Sequence, residues 1–261
     1  MDEELSYKPL IEDMTWSYTR VSSFETCPHQ WFLKYLKRCK SQKMFYASFG
    51  SYIHKLLEQY YKGELPKEKM AETFLAGFQD NVKGYRPKES VVKNYIQSGV
   101  DYLLSFHPFP YEMVAVEHKM DFDLNGYKFT GIIDYLGRDK DGELVVIDNK
   151  SRRLKPRSGR KIPTRSDEEL DTMLKQLYIY SAGVEQEFGK LPKKLCFNCF
   201  RNGVFIEEPF CITAYESAVK EAKEAIKAIE DETEFEAKPS FFTCFWLCDV
   251  SGDCETWINR R

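Results

Sequence analysis

Apolar residues recur with two different periods along this chain of 261 residues, and the change of period divides it. Up to about residue 112 they return every three or four positions, the spacing of one helix face. Residues 1–13 are polar and read as a flexible tail. Ser22 or Ser23 is placed to cap a short helix, with Glu25 as the capping-box partner of Ser22. Trp31, Phe32 and Tyr35 give one face to a helix that starts near Cys27, holds Pro28 in its first turn and ends near Leu36. Another helix begins near Phe49 and continues to Tyr61. Within it Gly50 lies one turn from His54, where a glycine is expected to open space beside the imidazole. Residues 67–82 and 88–105 read as two more amphipathic helices.

At Met113 the period falls to two, the mark of strands with one face buried. Asn125-Gly126 and Asp141-Gly142 are hairpin dipeptides, so residues 113–124, 127–136 and 143–149 form a predicted three-stranded meander. Residues 151–165 cannot build a core: seven of the fifteen are Arg or Lys, with two Pro and one Gly, and a flexible loop is expected. Helical spacing resumes from Asp167 to Glu187. A strand pair follows around Asn202-Gly203, and Thr213-Ala214-Tyr215-Glu216 reads as a capping box opening a helix to about Glu230. Helices alternating with strands predict an α/β fold in which a mixed sheet is flanked by helices.

A net charge of -3 says little about partners; the basic run at 151–165 says more, since a cluster of cations suits a polyanion such as DNA. No apolar run approaches ~18 residues, so no membrane span is expected. The acidic start lacks the layout of a signal peptide, and the eight cysteines read as cytoplasmic thiols or metal ligands. No Gly-rich phosphate loop ending in Gly-Lys-Ser/Thr is present, which excludes that kind of helicase motor.

The chemistry gathers at Gly131–Lys150. Asp134 and Asp148 fall in adjacent strands, and Lys150 shares a face with Asp148 because residues two apart in a strand point the same way. Glu117 in the first strand is a third carboxylate. Several oxygens suit a hard divalent cation, and a lysine beside them suits an anionic substrate. Gln176 and Tyr180 share a helix face one turn apart. Cys196 and Cys199, in C-x2-C spacing, sit in a predicted strand and read as packing residues. Cys244, Cys248 and Cys254 lie in a loop-like tail, and a tetrahedral thiolate site built on them needs a fourth ligand from elsewhere.

Taken in order, Cys27-Pro28, Gly50-x3-His54, Gly131-x2-Asp134, Asp148-x-Lys150, Gln176-x3-Tyr180 and the terminal cysteine triplet resemble the RecB-type branch of the PD-(D/E)XK nuclease superfamily. The resemblance is closest to its iron-sulfur members, among them the CRISPR-associated adaptation nucleases and the nuclease domain of AddB. It implies a restriction-endonuclease-like core in a single nuclease domain at 14–261. That domain would comprise a helical part at 14–112, a catalytic core at 113–212 and a helix with a cysteine-cluster tail at 213–261. It implies that His54, Asp134, Asp148 and the Asn149 carbonyl hold Mg2+ or Mn2+, that Lys150 orients water and meets phosphate charge, and that Glu117 completes the catalytic acids. Gln176 and Tyr180 would contact DNA, and Cys27, Cys244, Cys248 and Cys254 would hold a 4Fe-4S cluster. The terminal spacing here is C-x3-C-x5-C where the family has C-x2-C-x5-C, and zinc also suits four thiolates.

The expected function is metal-dependent cleavage of DNA, as an exonuclease on single strands or ends, in recombination, repair or CRISPR-related processing with a protein partner from one of those systems. Arg152, Arg153, Lys155, Arg157, Arg160 and Lys161 are expected on phosphates. The rival reading is a non-catalytic DNA-binding or assembly subunit retaining the fold. The complete Asp134, Asp148 and Lys150 set argues against it, because a silent copy has no need of all three.

Overall fold

The computed structural model describes residues 7–259. A short helix α1 (Lys8–Glu12) leads into α2 (Tyr18–Thr26) and α3 (Pro28–Trp31), which continues through one π-helical turn, Phe32–Leu36. Three longer helices follow: α4 (Phe45–Tyr61), α5 (Lys67–Asn81) and α6 (Glu89–Ser105). Then come β1 (Glu112–Leu124), β2 (Tyr127–Arg138), β3 (Leu144–Lys150), α7 (Arg165–Phe188), β4 (Lys194–Cys199), β5 (Val204–Pro209) and α8 (Ile212–Glu230). The tail holds a second π turn, Thr243–Leu247, a 3-10 turn, Ser251–Asp253, and α9 (Glu255–Ile258).

The five strands lie in chain order, β1-β2-β3-β4-β5. All neighbours are antiparallel except β3 and β4. That parallel pair requires a crossover, which α7 supplies. Asn125 (φ 53°) and Gly126 (φ 94°) turn β1 into β2, and Gly142 (φ 78°) lies in the next turn, as their dipeptides predict.

β3 is buried on both faces, which explains its unbroken run Leu144 to Ile147. Leu144 and Val146 join the larger core with α7, α8, Trp16 and Trp31. Val145 and Ile147 face the other way, against Phe109, Tyr135 and Cys196. On that side α4, α5 and α6 enclose a second apolar cluster, into which the sheet inserts Phe200 from just beyond β4. Asp148 and Lys150 therefore continue the face toward α7, and Asn149 the face toward α6.

Several sequence expectations are corrected. The tail proposed for 1–13 is ordered from residue 7: Ile11 on α1 is 2% exposed and belongs to the larger core, while residues 1–6 lie outside the described residues. Ser17, not Ser22 or Ser23, caps α2, accepting the Arg20 N–H. Thr213 and Glu216 form no capping box, because α8 starts one residue earlier, at Ile212. The box forms instead at Thr164 and Asp167, which open α7. Gly50 does not make room for His54: a Cβ there would meet Ser151 Oγ at 3.5 Å, so the glycine marks the approach of α4 to the end of β3. Cys196 and Cys199 are fully buried packing residues, as their strand pattern predicts.

Gly131 is under a different constraint. A Cβ there would lie 2.7 Å from the ring of Tyr180, which packs over β2. Gly131→Ala should destabilise the fold by about 1–3 kcal/mol, because the ring has a packed neighbourhood and cannot yield freely. Gly50→Ala meets only ordinary contact inside a helix and should stabilise by about 0.5–1 kcal/mol. Denaturant midpoints of the two variants against the parent check both signs.

Candidate active site

The β2–β3 ladder ends at Tyr135 and Ile147, so Asp134 and Asp148 lie just past the last paired residues. There the carboxylate of Asp134 takes over the work of a strand: its Oδ2 accepts the Asn149 backbone N–H at 2.6 Å. The Asn149 carbonyl, on the same residue, lies 2.8 Å from His54 Nε2. The other imidazole nitrogen, Nδ1, stands 3.4 Å from Asp134 and 3.6 Å from Glu117. Glu117 reaches in from β1 at a left-handed backbone position (φ 45°), and the ladder passes from the Val116–Tyr135 pair to the His118–Ile133 pair around it. A non-glycine residue at such φ is held there by its surroundings, and such outliers concentrate at functional sites.

Asp148 is 6% exposed. Lys150 Nζ donates to its Oδ1 at 3.1 Å and stands 2.8 Å from Oδ2, so both carboxylate oxygens face the ammonium. Burial pushes the Asp148 carboxyl up to about 6, against the pull of Lys150 and with the help of Asp134. For His54, burial works against the charge, but Asp134 first and then Glu117 and Asp148 outweigh it and raise the imidazole to about 10. The carboxylates around it thus favour the protonated imidazole.

The donors fit a hard divalent cation. One ligand atom each from His54, Glu117 and Asp134 falls within 4.8 Å of the other two; Asp148, expected among the ligands, stands outside that set with its carboxylate on Lys150. An octahedral shell with bonds near ~2.1 Å has edges of about 3 Å, close to the spacings of these atoms. The Asn149 carbonyl, expected among the ligands, instead faces His54 Nε2.

Behind the cluster is a support that the sequence reading missed. Asn198 on β4 pairs with Asn149 in the parallel ladder. Its Nδ2 donates to Asn149 Oδ1 at 2.7 Å and to the hydroxyl of Tyr102, on α6, at 2.6 Å. A buried asparagine inside the apolar run Leu195–Cys199 was the available signal. Gln176 and Tyr180, expected on DNA, direct their hydrogen bonds inward. Gln176 Oε1 accepts from Lys150 at 2.8 Å and its Nε2 donates to the Tyr180 hydroxyl at 3.3 Å. Tyr180 is buried beneath β2, and that burial raises its hydroxyl to about 12.

The basic loop is less free than its composition implies. Leu154 is anchored in the larger core. Asp167 accepts from the backbone and side chain of both Ser158 and Thr164, which holds its carboxyl far below the usual range. Arg152 is paired with Glu169, and Arg157 with Glu208 and Asp171. These two arginines brace the loop, whereas Arg153, Lys155, Arg160 and Lys161 form no ion pair among the described residues.

At the far end of the chain, Cys27, Cys244, Cys248 and Cys254 line one small enclosed cavity together with Leu33 and Trp257. The Lys238 N–H points at Cys27 Sγ, 3.4 Å away. No three of the thiols have sulfurs within 4.8 Å of one another. The tail and the N-terminal helices are thus brought together at four sulfurs.

The central strands of the sheet thus end in buried carboxylates and a lysine, overlooked by a helical imidazole. The chain belongs to the PD-(D/E)XK nuclease superfamily, whose profile matches residues 15–255. Its fold is similar to that of a candidate exonuclease from Eubacterium rectale (TM-score 0.53, 13% identity), over 100% of this chain and 93% of the other. A structure of the protein SSO0001 aligns over 92% of this chain and 98% of its own at 18% identity, but with a TM-score of 0.30 it adds nothing to the fold assignment. No curated protein matches the sequence. Among the described residues no helix is long and apolar enough to cross a membrane.

A proton and a cation compete for the same cluster. Because the His54 imidazole is raised well above 7, cation binding at pH 7–8 should expel about one proton, and affinity should rise with pH. Calorimetry of Mn2+ binding in buffers of different ionisation enthalpy measures that proton. His54→Ala should bind more weakly and release none.

Proposed function

We propose that the protein is a metal-dependent deoxyribonuclease of the RecB type, acting as an exonuclease on single strands or DNA ends. The observation that carries this reading is the convergence of His54, Glu117 and Asp134 next to the buried Asp148–Lys150 pair. Bound Mg2+ or Mn2+ would supply charge neutralisation at the phosphate and acidify a water. The chain's own groups do the rest. Lys150, held by Asp148 and Gln176, presents an ammonium where phosphate charge grows. Asn149, fixed through its backbone by Asp134 and through its side chain by Asn198, holds its carbonyl on His54 Nε2 and so orients the imidazole toward the acids. Arg153, Lys155, Arg160 and Lys161, on the loop after Lys150, are the cations available to DNA phosphates. A partner in recombination or CRISPR-related processing is part of the same reading.

The reading extends to a 4Fe-4S cluster on Cys27, Cys244, Cys248 and Cys254. Four thiols around one cavity support a metal group. A zinc tetrahedron with ~2.3 Å bonds has sulfurs about 3.8 Å apart, and no three of these sulfurs come within 4.8 Å of one another.

Cleavage of end-labelled single-stranded and duplex DNA in Mg2+ or Mn2+ tests the catalytic part. Asp148→Asn and Lys150→Ala should each lower the rate by about 100-fold or more, assayed below the melting temperature of each variant, which Lys150→Ala should lower by leaving Asp148 without its counter-charge. Full activity in Asp148→Asn would return the chain to a non-catalytic DNA-binding role.

Protein purified without oxygen should be brown, with broad absorption near ~400 nm. Cys27→Ala should lose colour and melting temperature together, while Cys211→Ala, exposed and remote from the cavity, should lose neither. Colourless protein with one zinc would keep the clamp and reject the iron.

A further inference from the structure

Beside the candidate active site lies a cleft that the site does not use. Four lysines line it, Lys34, Lys43, Lys55 and Lys83, among mostly uncharged polar side chains. Lys55 and Ser51 share one face of α4, and the neighbouring face carries His54, so the cleft opens next to the acidic cluster. Lys34 is paired with Asp249, and Lys83 stands 3.9 Å from Asp80. Lys43 and Lys55 form no ion pair among the described residues. The connecting segment 34–43 carries five cations and no acid. Cations in excess, surrounded by hydroxyls and amides, suit a chain of phosphates.

At its other end the cleft reaches Leu247, on the π turn of the tail. Around that turn is a patch of exposed rings: Tyr85 at 67%, Phe241 at 70% and Phe242 at 57% exposure. Tyr85 contacts Phe245 at 5.0 Å and Trp246 at 5.6 Å, and Trp246 meets Tyr46 of α4 at 5.8 Å. Tyr85 meets its neighbours edge-on or tilted, and Phe241 stacks one face on Phe245 at 5.5 Å, which leaves its other face to solvent. Large aromatic faces left exposed together are a binding surface rather than a by-product of folding.

We propose that cleft and rings form one track for a single DNA strand, its phosphates along Lys43, Lys55 and Lys83 and its bases stacked on Tyr85, Phe241 and Phe242. Resting on the nuclease reading, this deepens it by naming the substrate form, since a positive groove edged by aromatic faces is how proteins hold unpaired bases regardless of sequence. A duplex keeps its bases stacked on each other and offers the rings nothing. The strand would pass the thiol-lined tail and arrive at the acidic cluster from the α4 side.

Binding is measured by fluorescence anisotropy of labelled oligothymidylates in EDTA, so that cleavage plays no part and a failure of the nuclease reading leaves the result interpretable. A 16-mer should bind about tenfold or more tighter than a 4-mer and than a 16-base-pair duplex. Lys43→Ala with Lys55→Ala should weaken the 16-mer and reduce its salt slope by about 1.4, at ~0.7 per phosphate contact. Tyr85→Ala with Phe242→Ala should weaken it by about tenfold or more, with the salt slope unchanged. Lys69→Ala with Lys93→Ala, which removes the same charge from α5 and α6, should change neither quantity. Parental affinity in the lysine pair, or tighter binding of duplex, overturns the track. Parental affinity in the ring pair overturns the stacking and makes the patch a protein-docking surface.

Discussion

Carboxylates buried where two strands part are costly, and the rest of the structure is arranged around satisfying them. Asp134 takes the Asn149 N–H, and Asp148 takes Lys150. His54 supplies charge from a helix on the other side. An unpaired charge in such a place costs several kcal/mol, so removing one partner leaves the others uncompensated. Oxygen donors gathered this closely around one imidazole are chemistry that suits a divalent cation.

That arrangement explains the positions of elements that seem remote from it. α7 is the crossover that the parallel pair β3–β4 requires, and it also delivers Gln176 to Lys150. α6 closes the helical cluster and delivers the Tyr102 hydroxyl to Asn198, which steadies Asn149. α4 approaches β3 at Gly50 and Ser151, and His54, one turn on, reaches the acids. Each element serves packing and chemistry at once. For the same reason the helical and sheet parts are joined by polar contacts at the site as well as by Phe200 in the apolar cluster.

Much of this was legible in the chain. Dipeptides such as Asn125-Gly126 act locally, through backbone conformations that other residues reach with strain, so the meander could be read directly. Leu144 to Ile147 could be read as a strand covered on both faces. What could not be read depends on partners distant in sequence. Ile11 is ordered by the core it meets, not by its polar neighbours. Thr164-x-x-Asp167 and Thr213-x-x-Glu216 are the same local pattern, and only the first caps a helix, because α8 already starts at Ile212 and takes Thr213 inside it. Arg157 resembled a phosphate contact until Glu208 and Asp171 were found beside it. Asn198 had no visible role without the strand register that sets it opposite Asn149.

The central claim is that the end of β2 and β3 holds a divalent cation. Anomalous scattering from a crystal soaked in Mn2+ tests it directly. A peak about 2.0–2.3 Å from a His54 nitrogen and from oxygens of Asp134 and Asp148 is the predicted result. A map with no peak among these residues, at Mn2+ concentrations that fill surface sites elsewhere, would contradict it.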